Sequence, residues 1–183
     1  MIYAPKRFVF IHIPRTAGNS ITSAISCACA GKGIDVIVGT SPPIKFYKRI
    51  YRHIPAFGLK RFIPEWDDIY KFAVYRPEED RIRSAVGLVK RDLDNKVYEQ
   101  DTCSEGWKEL LLSEAPDEQI RDRMFRRPCR YYTTGEDGSN MGVDVWDYRF
   151  INEEWEQICT RCKIPYHPLP RLNSSVQSNY QEI

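Results

Sequence analysis

Residues 7–13, Arg-Phe-Val-Phe-Ile-His-Ile, form a run of β-branched and aromatic side chains that reads as a buried strand and stops at Pro14. Residues 20–30 then place Ile21, Ala24, Ile25 and Ala28 at the spacing of one helix face, and Gly31 and Gly33 close the helix. The stretch between them, Pro14-Arg15-Thr16-Ala17-Gly18-Asn19-Ser20, is therefore a loop running from the end of a strand into the start of a helix. Such a loop turns backbone N–H groups toward solvent at the positive end of the helix dipole, which is a place to hold an anion. Gly18 permits close approach of the backbone, Arg15 supplies a fixed charge, and Thr16, Asn19 and Ser20 can donate side-chain hydrogen bonds.

Residues 34–38 read as the next strand, and strand–helix–strand order predicts a βαβ unit with parallel pairing and a right-handed crossover. A third apolar strand is expected over 69–75, ended by Arg76-Pro77. The helix after it carries Ile82, Ala85, Val86, Val89 and Leu93 at helical spacing, with acids in its first turn. Further helices are expected over 44–52, 107–112 and 117–125. A turn cluster falls over 135–140, a fourth strand over 143–151, and a last helix over 152–162 capped by Asn152. The reading is one domain over residues 1–183, α/β in class.

Charge is unevenly distributed. Residues 1–64 hold ten of the 27 Lys and Arg but only Asp35 of the 25 acids, which points to an anion handled by the first third of the chain. With 42% hydrophobic residues the composition is that of a globular protein rather than a disordered or fibrous one. The opening residues offer no signal peptide and no membrane span, so a cytoplasmic protein with its six cysteines reduced is expected, without a membrane or nucleic-acid partner. Cys159-Thr160-Arg161-Cys162 has no second pair at ligand spacing and is read as two small apolar residues on a helix face, so no metal site is expected. The basic, aromatic stretch 45–52 suits an anionic acceptor or a nucleic acid, and the first is preferred beside an anion loop.

The loop does not carry the glycine-lysine pattern of nucleotide triphosphatases. It is similar instead to the phosphosulfate loop of the carbohydrate-type sulfotransferases: Phe8-Val9-Phe10-Ile11-His12-Ile13-Pro14-Arg15-Thr16-Ala17-Gly18-Asn19-Ser20 stands beside the family's F-x-H-I-P-K-T-A-G-T-S. The segment Phe72-Ala73-Val74-Tyr75-Arg76-Pro77-Glu78-Glu79-Asp80-Arg81-Ile82-Arg83-Ser84-Ala85 resembles its F-x-V-x-R-N-P-x-x-R-x-x-S, with Arg76 and Ser84 on the 3′-phosphate-binding positions. Tyr148-Arg149-Phe150-Ile151-Asn152 and Leu169-Pro170-Arg171-Leu172-Asn173 are similar to two later blocks, R-F-E-N-L and L-P-H-L-N, in the family's order. Arg15 replaces the family's Lys, Pro77 its Asn, Glu78 its Pro and Ile151 its acid.

The resemblance implies a three-layer P-loop NTPase-like fold with a central, mainly parallel sheet flanked by helices. It implies a metal-independent enzyme that moves a sulfuryl group from 3′-phosphoadenosine 5′-phosphosulfate (PAPS) to a hydroxyl or amine, on a saccharide acceptor. The expected donor site is Pro14, Arg15, Thr16, Ala17, Gly18, Asn19 and Ser20 with Arg76 and Ser84. Arg15 is the expected cation at the leaving oxygen, and His53 the expected base, since relatives carry a catalytic histidine in that interval and an imidazole accepts protons near neutral pH. His12, in the strand, is read as a buried, satisfied side chain, and His167, in a late irregular segment, as an ordinary surface residue. Two alternatives stand beside this: a nucleotide-binding protein of the same fold without turnover, and a P-loop nucleotide kinase.

Overall fold

A computed structural model describes residues 1–39, 53–100 and 127–171. The chain divides into two compact units, Met1–Arg76 with Arg127–Leu172, and Pro77–Arg126 with Asn173–Ile183. The helices expected over 44–52, 107–112 and 117–125, and the basic stretch 45–52, lie outside the described residues.

The first unit is built on a five-stranded sheet, β1 (Ile2–Ala4), β2 (Phe8–Ile11), β3 (Ile37–Val38), β4 (Tyr70–Tyr75) and β5 (Asp144–Asp147), in the order β3-β1-β2-β4-β5. β2, β4 and β5 pair in parallel, whereas β1 pairs antiparallel with both β2 and β3. The sheet is thus mixed, and the mainly parallel sheet expected from sequence is corrected. The cause is β1, which folds back on β2 through Pro5-Lys6-Arg7, with the Arg7 N–H donating to the Ala4 carbonyl at 3.1 Å. β1 takes the edge of β2 that β3 was expected to pair with, so β3 keeps the direction of β2 while sitting one strand further out.

Alternation along the strands sends side chains to two opposite faces. Phe8, Phe10, Phe72 and Val74 pack with Ile2 and Ala4 against Ile21, Ala24 and Ile25 of α1 (Gly18–Ala30) and Trp155 and Ile158 of α5 (Ile151–Cys162). Val9, Ile11 and Ala73 face the other way, onto Leu59 of α2 (Ala56–Lys60), Ile63, Trp66 and Tyr132 of α4 (Cys129–Thr133). Two buried layers on one sheet explain why all four residues of β2 are fully buried, and why its sequence is apolar throughout rather than alternating.

Asn152 does not cap α5. The helix starts at Ile151, and the turn before it is organised by Asp147, whose carboxylate accepts the Arg149 N–H at 2.9 Å while its carbonyl accepts the Phe150 N–H at 3.1 Å. Cys159 and Cys162 are buried on α5; burial pushes the Cys159 thiol up to about 11 and Cys162 higher still, so both stay protonated packing groups. In the second unit α3 (Glu78–Asp94) carries Glu78, Glu79 and Asp80 in its first turn and leads into a short 3₁₀ turn, Val97–Glu99. No helix among the described residues is long and apolar enough to cross a membrane.

Candidate anion site at the carboxyl edge of the sheet

The three parallel strands end at one edge of the sheet, and the residues that follow them converge there. The β2–β4 register, Phe8 with Tyr70 to Ile11 with Ala73, extrapolates to Pro14 opposite Arg76. The β4–β5 register, Phe72 with Asp144 to Tyr75 with Asp147, extrapolates to Arg76 opposite Tyr148. Carboxyl ends of parallel strands are where open α/β sheets bind ligands.

The loop between β2 and α1 is tightly curled. Arg15 and Ala17 both sit at positive φ, 64° and 62°, on either side of Thr16. Left-handed residues in such a turn gather successive backbone N–H groups into a concavity that suits an anion. Thr16 is fully buried and its hydroxyl donates to the Ile13 carbonyl at 3.0 Å, so its side chain braces the curl from inside. Ala17 is the N-cap of α1; among the described residues that helix end has no side-chain cap and no acid in its first turn. Pro14, Arg15 and Ala17 are half-buried, Gly18 and Ser20 are buried, and Asn19 is exposed.

Gly18 is required by its neighbour. A Cβ there would come within 1.8 Å of Nε2 of His12, so the imidazole lies directly against the first turn of α1. His12 is buried, as its place in the strand predicts, with its ring stacked on Phe10 at 5.7 Å and edge-on to His53 at 4.7 Å. His53 itself is exposed, and its Nδ1 lies 2.8 Å from the His12 carbonyl. A carbonyl oxygen only accepts, so Nδ1 carries the proton of the neutral ring and Nε2 the lone pair. This seats the His53 ring against the segment that leads into the β2–α1 loop.

Arg76 joins the loop from β4. Its Nη1 donates to the Arg15 carbonyl at 3.5 Å, its guanidinium lies 4.4 Å over the Tyr148 ring, and its own carbonyl accepts from the Cys129 thiol at 3.7 Å. Its Nε is buried and meets no hydrogen-bond partner among the described residues. Arg149, by contrast, is turned back onto Asp147, holding that carboxyl below its ordinary range. Ser84 is buried on α3, in the second unit.

Of the residues singled out from sequence, the loop 14–20, Arg76 and His53 meet at this edge of the first unit. Tyr148 was not singled out, although it lies in a block that resembles the family, because its contact with Arg76 depends on a strand register that the sequence does not display. His167 lies elsewhere: its carbonyl accepts the indole N–H of Trp155 at 2.7 Å and its Nδ1 lies 3.2 Å from the Pro168 carbonyl. No group of three or more His, Cys, Asp or Glu side chains among the described residues is arranged to hold a metal ion. No protein-family model matches the chain, and comparison with curated proteins and with solved structures returns no match.

Proposed function

We propose that the protein is a PAPS-dependent sulfotransferase of P-loop type acting on a saccharide acceptor. The observation that carries the reading is the meeting of the β2–α1 loop with Arg76 at the carboxyl edge of the parallel strands. It joins the two segments whose sequences resemble the 5′-phosphosulfate and 3′-phosphate elements of that family. In this reading the N–H groups of residues 15–20 hold the phosphosulfate. Arg76 takes the 3′-phosphate.

Transfer would then be in line: the bond between sulfur and the bridging phosphate oxygen breaks as the acceptor oxygen bonds to sulfur. The acceptor's proton passes to Nε2 of His53, and the charge gained by the leaving phosphate is met by Arg15 and the loop amides. Catalysis of this kind rests on position and on electrostatic stabilisation of the leaving group, with no covalent intermediate on the protein. Arg15 keeps the charge of the lysine it replaces but spreads it over a planar fork.

Calorimetry of the 3′,5′-bisphosphate product (PAP) against ATP, followed by labelled-sulfate transfer from PAPS to a panel of saccharides, tests this. PAP preference with transfer is expected. ATP preference would favour a nucleotide kinase, and PAP binding without any transfer a binding protein of the same fold.

A further inference from the structure

The geometry points to Tyr148 as a positioning residue that fixes the plane of the Arg76 guanidinium and thereby sets the affinity of the site for a phosphorylated nucleotide. The inference rests on the donor reading above for the ligand, but its structural core does not. Tyr148 follows β5 as Arg76 follows β4, and its N–H donates to the Tyr75 carbonyl at 2.9 Å, which continues the parallel ladder one step past the last paired residues. The two residues are therefore set side by side by main-chain hydrogen bonds, and the guanidinium carbon lies over the ring, 4.4 Å from its centre.

An arginine side chain is long, and most of its rotamers would carry the charge away from the loop. A face held against an aromatic ring confines its N–H groups to one plane. In that plane Nη1 reaches the Arg15 carbonyl and Nε is buried without a partner among the described residues. The ring thus fixes which N–H groups face the loop before any ligand arrives. Tyr148 is half-buried against the core of α1 and α5, so the ring is itself held in place. The contact is with the ring, which separates the proposed role from direct ligand binding through the hydroxyl.

The test compares wild type, Tyr148→Phe, Tyr148→Leu, Arg76→Ala and the double variant Arg76→Ala/Tyr148→Leu, using PAP as the probe in calorimetry. Tyr148→Phe should bind as wild type, and Tyr148→Leu should bind about 3- to 30-fold more weakly, the range of a cation–π contact. The Leu effect should vanish in the Arg76→Ala background, because the ring acts only through the guanidinium. An equal loss in both backgrounds, or a loss in Tyr148→Phe, overturns the assignment. A second readout needs no nucleotide: the Arg76 Nε–H resonance should exchange slowly with solvent in wild type and Tyr148→Phe and rapidly in Tyr148→Leu. If PAP binds no variant, the donor reading fails while this resonance still decides the positioning role, equal exchange in all three proteins overturning it.

Discussion

Arg76 and Tyr148 occupy the same step of the sheet, one residue beyond the last paired residues of β4 and β5, and the guanidinium lies 4.4 Å over the ring. Seventy-two positions separate them in the chain, yet main-chain pairing brings them together and aims the cation at the loop that follows β2. The electrostatics of the site are therefore set by strand register rather than by side chains finding one another.

Gly18→Ala tests the contact between loop and helix. The new methyl group has nowhere to go except into His12, whose ring is itself wedged between Phe10 and His53. Overpacking of this kind costs about 1–3 kcal/mol, and a lower denaturant midpoint at unchanged m-value should report it, together with weaker PAP binding. Wild-type stability in this variant would mean that His12 moves aside freely.

His53→Ala removes the proposed base, together with its contacts to His12, and leaves every residue of the loop in place. Transfer should fall on the order of 10²- to 10⁴-fold, the usual contribution of general base catalysis, while PAP affinity in calorimetry stays as in wild type. Unchanged turnover would exclude His53 from proton transfer.

Arg76→Ala should abolish discrimination between PAP and the nucleotide that lacks the 3′-phosphate, measured as the ratio of their dissociation constants. A ratio preserved in the variant would assign the 3′-phosphate to other residues.

Asp147 supplies a pH dependence. Arg149 holds its carboxyl below the ordinary range in the folded chain, so the pair contributes stability above the unfolded value of about 4 and loses it as pH falls through the lowered folded value. Asp147→Asn should accordingly melt below wild type at neutral pH, with the gap closing in acid and narrowing in high salt, since the pair is partly exposed. A gap independent of pH would show that Asp147 acts only through the turn it makes before α5.

The central strands and α1 were legible because they bury whole faces: the apolar run of β2 and the helical spacing of Ile21, Ala24, Ile25 and Ala28 leave little choice. The hairpin strand β1 was not, since three residues before a proline carry too few alternations to register, and its presence changes the sheet from parallel to mixed. The start of α5 was misplaced for a related reason. Asn152 looks like a cap, but the Asp147 carboxylate five residues earlier bends the chain and Ile151 enters the core as the first helical residue. At the site, the curled β2–α1 loop showed itself through residue types in one short stretch. The Arg76–Tyr148 pair and the His53–His12 contact are long-range and follow from register and chain path.

The most direct test of the account is a backbone amide titration with PAP, read residue by residue in nuclear magnetic resonance. The account predicts saturable shifts concentrated at the amides of residues 15–20 and at Arg76, with the Arg76 Nε–H gaining protection. Shifts confined to other parts of the chain, or saturation by ATP in place of PAP, would contradict it.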